Sequence, residues 1–264
     1  MAISGKVGNV YSSALLLEDC EDVWTTGGAG RAVDVVTGKV GTYCARVTTT
    51  SIDVSALLQY ENLAAPVDIS TYDGIYCWIR TQALLLNGEL QILLDDSAGC
   101  GTPLESLNLP APPAATWRQC FARLANPAAL TAVASVGLYQ VGNLLDGYFD
   151  IDDVEALKEI DGIKSWTLDY TSETLDATDF DDAGIRAHII GQSGWSGSFE
   201  GFKDTTPLGI GAEVYLVMGE STTAYQNWIG KAIITACHPS TGHDGIVTYS
   251  YDFQGTGELT SPSA

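Results

Sequence analysis

Fifteen residues near the C-terminal end, Gly245-Ile-Val-Thr-Tyr-Ser-Tyr-Asp-Phe-Gln-Gly-Thr-Gly-Glu-Leu259, carry the clearest pattern in the chain. Apolar or aromatic side chains alternate there with small polar ones, which places on one face Val247, Tyr249, Tyr251 and Phe253. A period of two residues is typical of a β-strand with one buried face. The stretch therefore predicts a strand that ends near Gly255 and Gly257, where the pattern stops.

Three earlier segments share features with this strand, and they are Gly5–Tyr11, Ile163–Asp169 and Gly194–Gly201. These three segments and then Phe253–Gly257 occur in the same order as the strands of a known family. The chain thereby resembles the tail tube proteins of long-tailed bacteriophages. The resemblance covers residues 1–14 and 158–264, and it implies that these distant stretches form one β-domain. Two features depart from the family. A long insertion separates the first two segments, and Pro207 disfavours the helix that the family usually has near residues 205–211.

The resemblance to tail tube proteins implies an assembly and a set of partners. Subunits of that family form rings, expected here to be hexamers, which stack head-to-tail into a hollow tube. The partners implied are other copies of the chain, the ruler and tail-end proteins of the tail, and genomic DNA that passes through the lumen without specific binding. The implied location is the tail of a virion, after assembly in the host cytoplasm.

Residues 174–188, between the second and third predicted strands of this domain, form a long acidic segment. In tail tube proteins the corresponding hairpin loop contacts neighbouring subunits and the next ring. The contacts implied here are Leu175, Phe180 and Ile185 as apolar anchors, and Arg186 as an ion-pair donor. A loop that folds onto its own domain is the open alternative.

The segment between the two stretches has short apolar or alternating runs separated by turn residues. These predicted strands are Gly41–Val47, Asp73–Arg80, Glu89–Leu94, Thr116–Arg123 and Ala134–Tyr139. Their order within residues 15–157 resembles the jelly-roll folds of carbohydrate-binding modules. Because the first and last strands of such a sandwich are neighbours, the segment can be inserted into a turn of another domain. The fold class expected is therefore all-β, a tail-tube-type β-sandwich or half-barrel with an inserted jelly-roll β-sandwich.

The second resemblance implies a saccharide ligand, because a sugar face stacks well on an exposed aromatic ring. The candidate contacts are Trp24, Trp78 and Tyr139, with Tyr60 and Tyr148 as further aromatic candidates. Packing of these rings into the core is the alternative for each of them, and Trp117 is expected to be buried.

A structural calcium ion is the second ligand that the jelly-roll resemblance implies. Hard cations bind several oxygen atoms, and the carboxylates of Glu18, Asp34 and Asp152 could provide them together with backbone carbonyls of residues 38–42. The alternative is that these acids face solvent or cap turns. The sequence predicts no required cofactor.

The charge of the chain limits its partners. Twelve Lys and Arg residues stand against 33 Asp and Glu residues, which gives a net charge of −21, and no basic cluster occurs. Tight binding of nucleic acid is therefore disfavoured. Acidic walls of a tube would repel DNA and let it slide, although solubility alone also explains the charge. We expect no membrane insertion and no secretory signal, since no apolar stretch is long enough.

We expect no enzymatic activity, because no catalytic motif surrounds the three histidines, His188, His238 and His243. The acidic pairs Asp95-Asp96 and Asp152-Asp153 could be read as paired carboxylates, but acids at strand ends are common.

The six cysteines have no Cys-x-x-Cys spacing, and three of them lie within predicted strands. This favours buried thiols over a disulfide framework, with a Cys20–Cys44 bridge left open.

The function expected from these patterns is that of a structural tail tube subunit, the conduit for DNA ejection, with an outward-projecting jelly-roll domain that binds surface glycans. Two alternatives remain at this stage. One is a carbohydrate-binding protein that does not polymerise, and the other is a decoration or baseplate protein of a virion.

Overall fold

The computed structural model of the protein describes residues 7–50, 55–142, 146–178, 186, 188–202, 207–220, 225–241 and 245–262. In this part of the chain the regular structure is all-β, as predicted, and the one helical element is a 3-10 turn at Pro127–Ala129. The strands are β1 (Val7–Glu18), β2 (Thr25–Thr26), β3 (Arg31–Thr37), β4 (Tyr43–Thr49), β5 (Ala56–Val67), β6 (Gly74–Thr81), β7 (Leu90–Asp95), β8 (Glu105–Asn108), β9 (Arg118–Arg123), β10 (Val133–Gln140), β11 (Gly147–Glu159), β12 (Ile163–Asp176), β13 (His188–Phe202), β14 (Glu213–Gly219), β15 (Asn227–Thr241) and β16 (Val247–Gly255).

The strands form two sheets in which all neighbouring strands are antiparallel. The larger sheet has the order β12-β13-β16-β15-β14-β1-β11-β4-β3, and β6 and β9 branch from it at β11. The smaller sheet has the order β2-β5-β10-β7-β8. It packs over the β3, β4, β6, β9 and β11 part of the larger sheet, and the two faces enclose a common core.

Two long strands, β1 and β11, run through both halves of the molecule. The first residues of β1 pair with β14, whereas its later residues pair with β11, as in Leu15 opposite Ala156. The ends of segment 15–157 are therefore hydrogen-bonded neighbours, as the jelly-roll resemblance implies. The expected boundaries at residues 14 and 158 lie within continuous strands instead of loops, because the larger sheet continues from one half into the other.

Buried apolar residues form three clusters among the described residues. The first fills the space between the two sheets and is built from residues between Leu17 and Ala156. The second joins Val10 to residues between Trp195 and Phe253. The third, which we call the seam, lies between these two and consists of Tyr11, Tyr76, Trp78, Leu157, Tyr215, Val217 and Ile229. The division into two domains remains a prediction.

Polar contacts also cross the seam. The Lys231 Nζ atom lies 3.5 Å from Glu155 Oε1 and 3.6 Å from Asp153 Oδ2. The residues that follow β16 lie against β9, since Gln119 Nε2 donates to the Glu258 carbonyl at 2.8 Å. Nearby, the Lys39 ammonium pairs with the Glu258 carboxylate at 2.7 Å. The two halves therefore meet through both apolar and charged groups.

The glycines at the end of β16 make room for one indole ring. Trp195 of β13 is buried, and its Nε1 donates to the Gly257 carbonyl at 2.9 Å. A Cβ atom at Gly255 would lie 2.1 Å from Trp195 Cε2, and one at Gly230 would lie 2.6 Å from its Cζ2. Glycine is therefore required at both positions, and this contact explains why the tryptophan segment and the Gly-Thr-Gly segment occur together.

The strands predicted from alternation agree with β4, β6, β7, β9, β10 and β16 to within a few residues. Tyr251 and Phe253 are buried as expected. Residues 207–209 are irregular and residues 210–211 form a turn, with no helix, consistent with the effect of Pro207, while residues 203–206 lie outside the described part. All six cysteines are free, and all but Cys237 are buried.

Candidate functional site

A buried carboxylate holds two arginines on the outer face of the larger sheet. Asp150 of β11 accepts hydrogen bonds from Arg46 of β4, from Nε at 2.6 Å and Nη2 at 2.8 Å. On the other side of β11, Arg80 of β6 donates from Nε to the same carboxylate at 2.7 Å. The Asp150 side chain is fully buried, whereas those of Arg46 and Arg80 are 24% and 22% exposed. These hydrogen bonds to Asp150 raise the pKa of Arg46.

Two aromatic rings complete this arrangement. The Arg46 guanidinium lies 4.1 Å from the centre of the Tyr148 ring, and the Arg80 guanidinium lies 4.5 Å from the centre of the Trp117 ring. Arg80 also lies 5.9 Å from the Tyr148 ring. Cation–π contacts at such distances fix the planes of the guanidinium groups. We call the set of Trp117, Arg80, Asp150, Tyr148 and Arg46 the arginine platform.

Strand register explains why these residues meet. Asp150 lies opposite Arg46 on one neighbouring strand and opposite Arg80 on the other. Tyr148 is two residues from Asp150 and therefore points to the same face of the sheet. Trp117 immediately precedes β9, whose first residue, Arg118, lies opposite Ile79. The platform thus crosses four strands that are far apart in sequence.

The structure does not bring the three predicted sugar contacts together. Trp24 is 1% exposed and belongs to the core between the sheets, so the prediction that it contacts a ligand is wrong in this fold. Trp78 is buried in the seam beneath the Lys39 ammonium. Tyr139 is half-buried and belongs to β10 of the smaller sheet. For Trp24 and Trp78, burial is the alternative that the sequence leaves open.

The further aromatic candidates have a different outcome. Tyr148 is part of the arginine platform, and Trp117 is half-buried beside Arg80 rather than enclosed in the core. Tyr60 is half-buried and lies on the smaller sheet. The sequence could not identify the platform, because cross-strand register and not sequence spacing places Arg46, Arg80 and Asp150 in contact.

The three predicted calcium ligands are not assembled into one set. Asp34 is exposed on β3, and its Oδ1 accepts the Val35 N–H, while its neighbour Val33 packs against the core. Asp152 Oδ2 accepts the N–H groups of Lys39 and Val40, so that this turn donates to the carboxylate with its amides. No group of three or more Asp, Glu, His or Cys side chains in the described residues has a metal-binding arrangement.

Glu18 and Asp152 lie near Cys20 and have raised pKa values, and Glu18 is half-buried whereas Asp152 is fully buried. Burial raises the pKa of Glu18 to about 7, and the nearby carboxylates of Asp19 and Asp22 add to the effect. Burial also raises the pKa of Asp152 to about 6, against the opposing effect of its backbone hydrogen bonds. Asp152 Oδ1 is buried and has no hydrogen-bond partner. The structural calcium ion expected at Glu18, Asp34 and Asp152 stays a prediction.

The segment predicted to contact other subunits belongs to a long hairpin. The strands β12 and β13 remain paired to their distal end, where Asp176 lies opposite His188. Leu175 is 50% exposed there, and Arg186 is exposed as well. The other two predicted contacts, Phe180 and Ile185, lie outside the described residues. Further exposed apolar side chains on the hairpin are Tyr170, Ile189 and Ile190.

The described acids and histidines considered as catalytic groups lie on different strands, with His188 on β13, His238 on β15 and Asp95 on β7. His188 is exposed on the hairpin, and His238 Nε2 lies 3.1 Å from Asp252 Oδ2 on an exposed face. His243 lies outside the described residues. Asp95 accepts hydrogen bonds from the backbone N–H groups of Ser97 and Thr102, which is the pattern of a carboxylate that stabilises a turn.

No protein-family model matches the sequence, and no curated protein matches it either. Solved structures give distant likenesses. A chain from the tail of an empty gene transfer agent particle with C6 symmetry is 18% identical, over 41% of this chain and 87% of that chain, with a TM-score of 0.31. A chain from the virion of a native gene transfer agent has the same identity and TM-score, over 40% and 89%.

A third likeness is to the tandem CBM22 domains of Xyn10C from Paenibacillus barcinonensis. It is 11% identical, over 98% of this chain and 100% of that chain, with a TM-score of 0.35. Similarity at this level does not establish a shared function. Among the described residues, no helix has the length and apolar character needed to cross a membrane.

Proposed function

We propose that the protein is a structural subunit of a phage-type tail tube, with a jelly-roll domain that displays a glycan-binding surface on the outside of the tube. The order of the four sequence segments that resemble tail tube proteins supports the first part. The arginine platform supports the second part. The proposal assigns no catalytic activity to the chain.

The hairpin β12–β13 is the observation that carries the assembly part of the proposal. Its distal residues, 174–178 and 188–190, are exposed on both faces. Ile190 is 82% exposed and Leu175 is 50% exposed. A two-stranded hairpin without a further packing partner is marginally stable in water, and exposed apolar side chains favour a protein partner. We therefore propose that a neighbouring copy covers the distal hairpin.

The position of β12 in the sheet supports the same interpretation. It forms one end of the larger sheet, so that its outer backbone groups face no further strand of the described chain. Open edges of this kind promote pairing with another chain, and closure into a ring removes them. Stacking of rings along an axis then gives a filament, because a head-to-tail contact does not close. In a phage, ruler and tail-end proteins would limit its length.

The test of self-assembly compares the wild-type chain with Ile190→Asp in concentrated solution, by negative-stain electron microscopy and sedimentation. We expect tubes or rings for the wild type and none for Ile190→Asp, because a charge would be buried in the contact without a partner. Leu84→Asp is the matched control. Leu84 is 73% exposed and lies after β6, away from the hairpin, so assembly should persist. Equal assembly of all three proteins would reject this hairpin contact.

The net charge of −21 is consistent with a conduit that does not bind the DNA passing through it. Many copies of a weak glycan site on one tube would hold a virion near a cell by avidity. A carbohydrate-binding protein that does not polymerise is the second candidate, and the arginine platform favours it equally. The microscopy experiment separates the two, because that candidate would stay monomeric at all concentrations.

A further inference from the structure

The arginine platform has more hydrogen-bond donors than its own carboxylate can use. The Asp150 carboxylate accepts hydrogen bonds from Nε and Nη2 of Arg46 and from Nε of Arg80. The Nη1 atom of Arg46 and both Nη atoms of Arg80 have no hydrogen-bond acceptor among the described residues. Both side chains are partly exposed, so these N–H groups are available to a ligand at the surface.

The charges of the platform favour an anionic group. Two guanidinium groups share one carboxylate, so the platform carries a net charge of about +1. That charge is located on the same guanidinium groups as the free N–H donors. The nearest acid on the adjacent strand is Asp34, opposite Arg46 in the register, and its carboxylate bonds to the Val35 N–H instead of pairing with Arg46. Because the chain as a whole carries −21, an anion would have to be held by short-range contacts at this place.

The aromatic rings point to the same ligand class. Neutral sugars in protein sites usually place a face on an aromatic ring. Here the guanidinium of Arg46 lies over Tyr148 and that of Arg80 lies over Trp117, so each ring already has a stacking partner. What the platform offers is a set of planar N–H donors whose orientation is fixed. A planar carboxylate matches such a fork of donors with two parallel hydrogen bonds.

We infer that the arginine platform binds a saccharide that carries a carboxylate, such as a uronic acid unit, through the free N–H groups of Arg46 and Arg80. This inference rests on the proposed glycan-binding function and names its ligand class. The donors are preorganised by Asp150 and by the two rings, so that little side-chain freedom is lost on binding.

The experiment is isothermal titration of the full-length protein with two oligosaccharides of equal length, hexagalacturonate and the neutral xylohexaose. We expect hexagalacturonate to bind and xylohexaose to bind at least about tenfold more weakly. Arg80→Gln should weaken hexagalacturonate binding by about tenfold or more. Arg123→Gln is the control, since it removes the same charge at a side chain that is 60% exposed and pairs with Glu159.

A second variant separates binding from folding. Arg80→Gln leaves Asp150 with fewer partners and can lower stability, whereas Arg80→Lys keeps a positive charge beside Asp150 and lacks the planar fork. We expect Arg80→Lys to show a wild-type circular dichroism spectrum and weakened hexagalacturonate binding. Unchanged binding in both Arg80 variants would overturn the assignment of the site.

The remaining outcomes distinguish this inference from the proposed function. Equal binding of the two oligosaccharides, or binding of xylohexaose alone, would overturn the ligand class and leave glycan binding intact. If hexagalacturonate does not bind but neutral glycans bind on a printed glycan array, the ligand class is again overturned and glycan binding is retained. The lack of any glycan binding by assembled tubes would instead reject the glycan part of the proposed function itself.

Discussion

At the scale of single residues, burial decides which of the acids and aromatic rings in this chain can act on a ligand. Trp24 and Trp78 have the residue type that sugar sites use, yet both are withdrawn from solvent. Asp150 is buried too, but it orients two partly exposed arginines. It therefore shapes the binding surface without being exposed itself. Residue type alone could not separate these cases, since side-chain exposure depends on the partner strand and sheet.

The raised pKa of Glu18 predicts a pH dependence of stability. Its carboxyl keeps a proton more readily in the folded chain, where its pKa is about 7, than in the unfolded chain, where the ordinary value is 4.5. The folded state therefore binds more protons between these two values, and the free energy of unfolding falls as pH rises through this range. Asp152, with a pKa of about 6, acts in the same direction.

Urea unfolding at pH 5 and pH 8 measures this effect. The free energy of unfolding of the wild type should fall between pH 5 and pH 8. We expect a smaller fall for Glu18→Gln, because Gln does not ionise and can still accept the hydrogen bond from the Cys20 N–H. Asp34→Asn is the control, since it removes an exposed charge elsewhere in the same sheet. If Glu18→Gln and the control show the same dependence as the wild type, burial of Glu18 does not set it.

At the scale of strands, alternation in the sequence was a good guide to where strands form but not to how they pair. The strands that alternation predicts at residues 73–80 and 134–139 match β6 and β10 to within one residue at each end. β5 was not predicted, since Ala56–Val67 mixes polar and apolar residues without strict alternation. Register depends on partners distant in sequence, so the arginine platform could not be read from any one segment.

The glycine that closes β16 provides a prediction at this scale. Gly255→Ala should lower the free energy of unfolding by at least about 2 kcal/mol, because the new methyl group would overlap the buried Trp195 ring. Gly194→Ala is the matched control on the same sheet, since no atom lies within 4 Å of its Cβ position, and it should change stability little. Equal losses for both variants in urea titrations would contradict the packing described for Trp195.

At the scale of the whole molecule, the shared strands connect the half proposed to assemble with the half that carries the arginine platform. The larger sheet runs from the exposed hairpin β12–β13, through β1 and β11, to the platform strands β4 and β6. The seam and the ion pairs of Lys231 add side-chain contacts between the halves. A platform held in this way would keep a fixed orientation relative to a tube, and multivalent binding depends on a geometry that lets several sites bind at once.

The central claim is that many copies of this chain form the tube of a tail, and cryo-electron microscopy of native particles tests it most directly. We predict density for the chain in every ring along the tail, with strands β12 and β13 of one copy in contact with the next copy and residues 15–157 on the outside. Single copies confined to one end of the particle, or copies with the distal hairpin free of contacts, would contradict the claim.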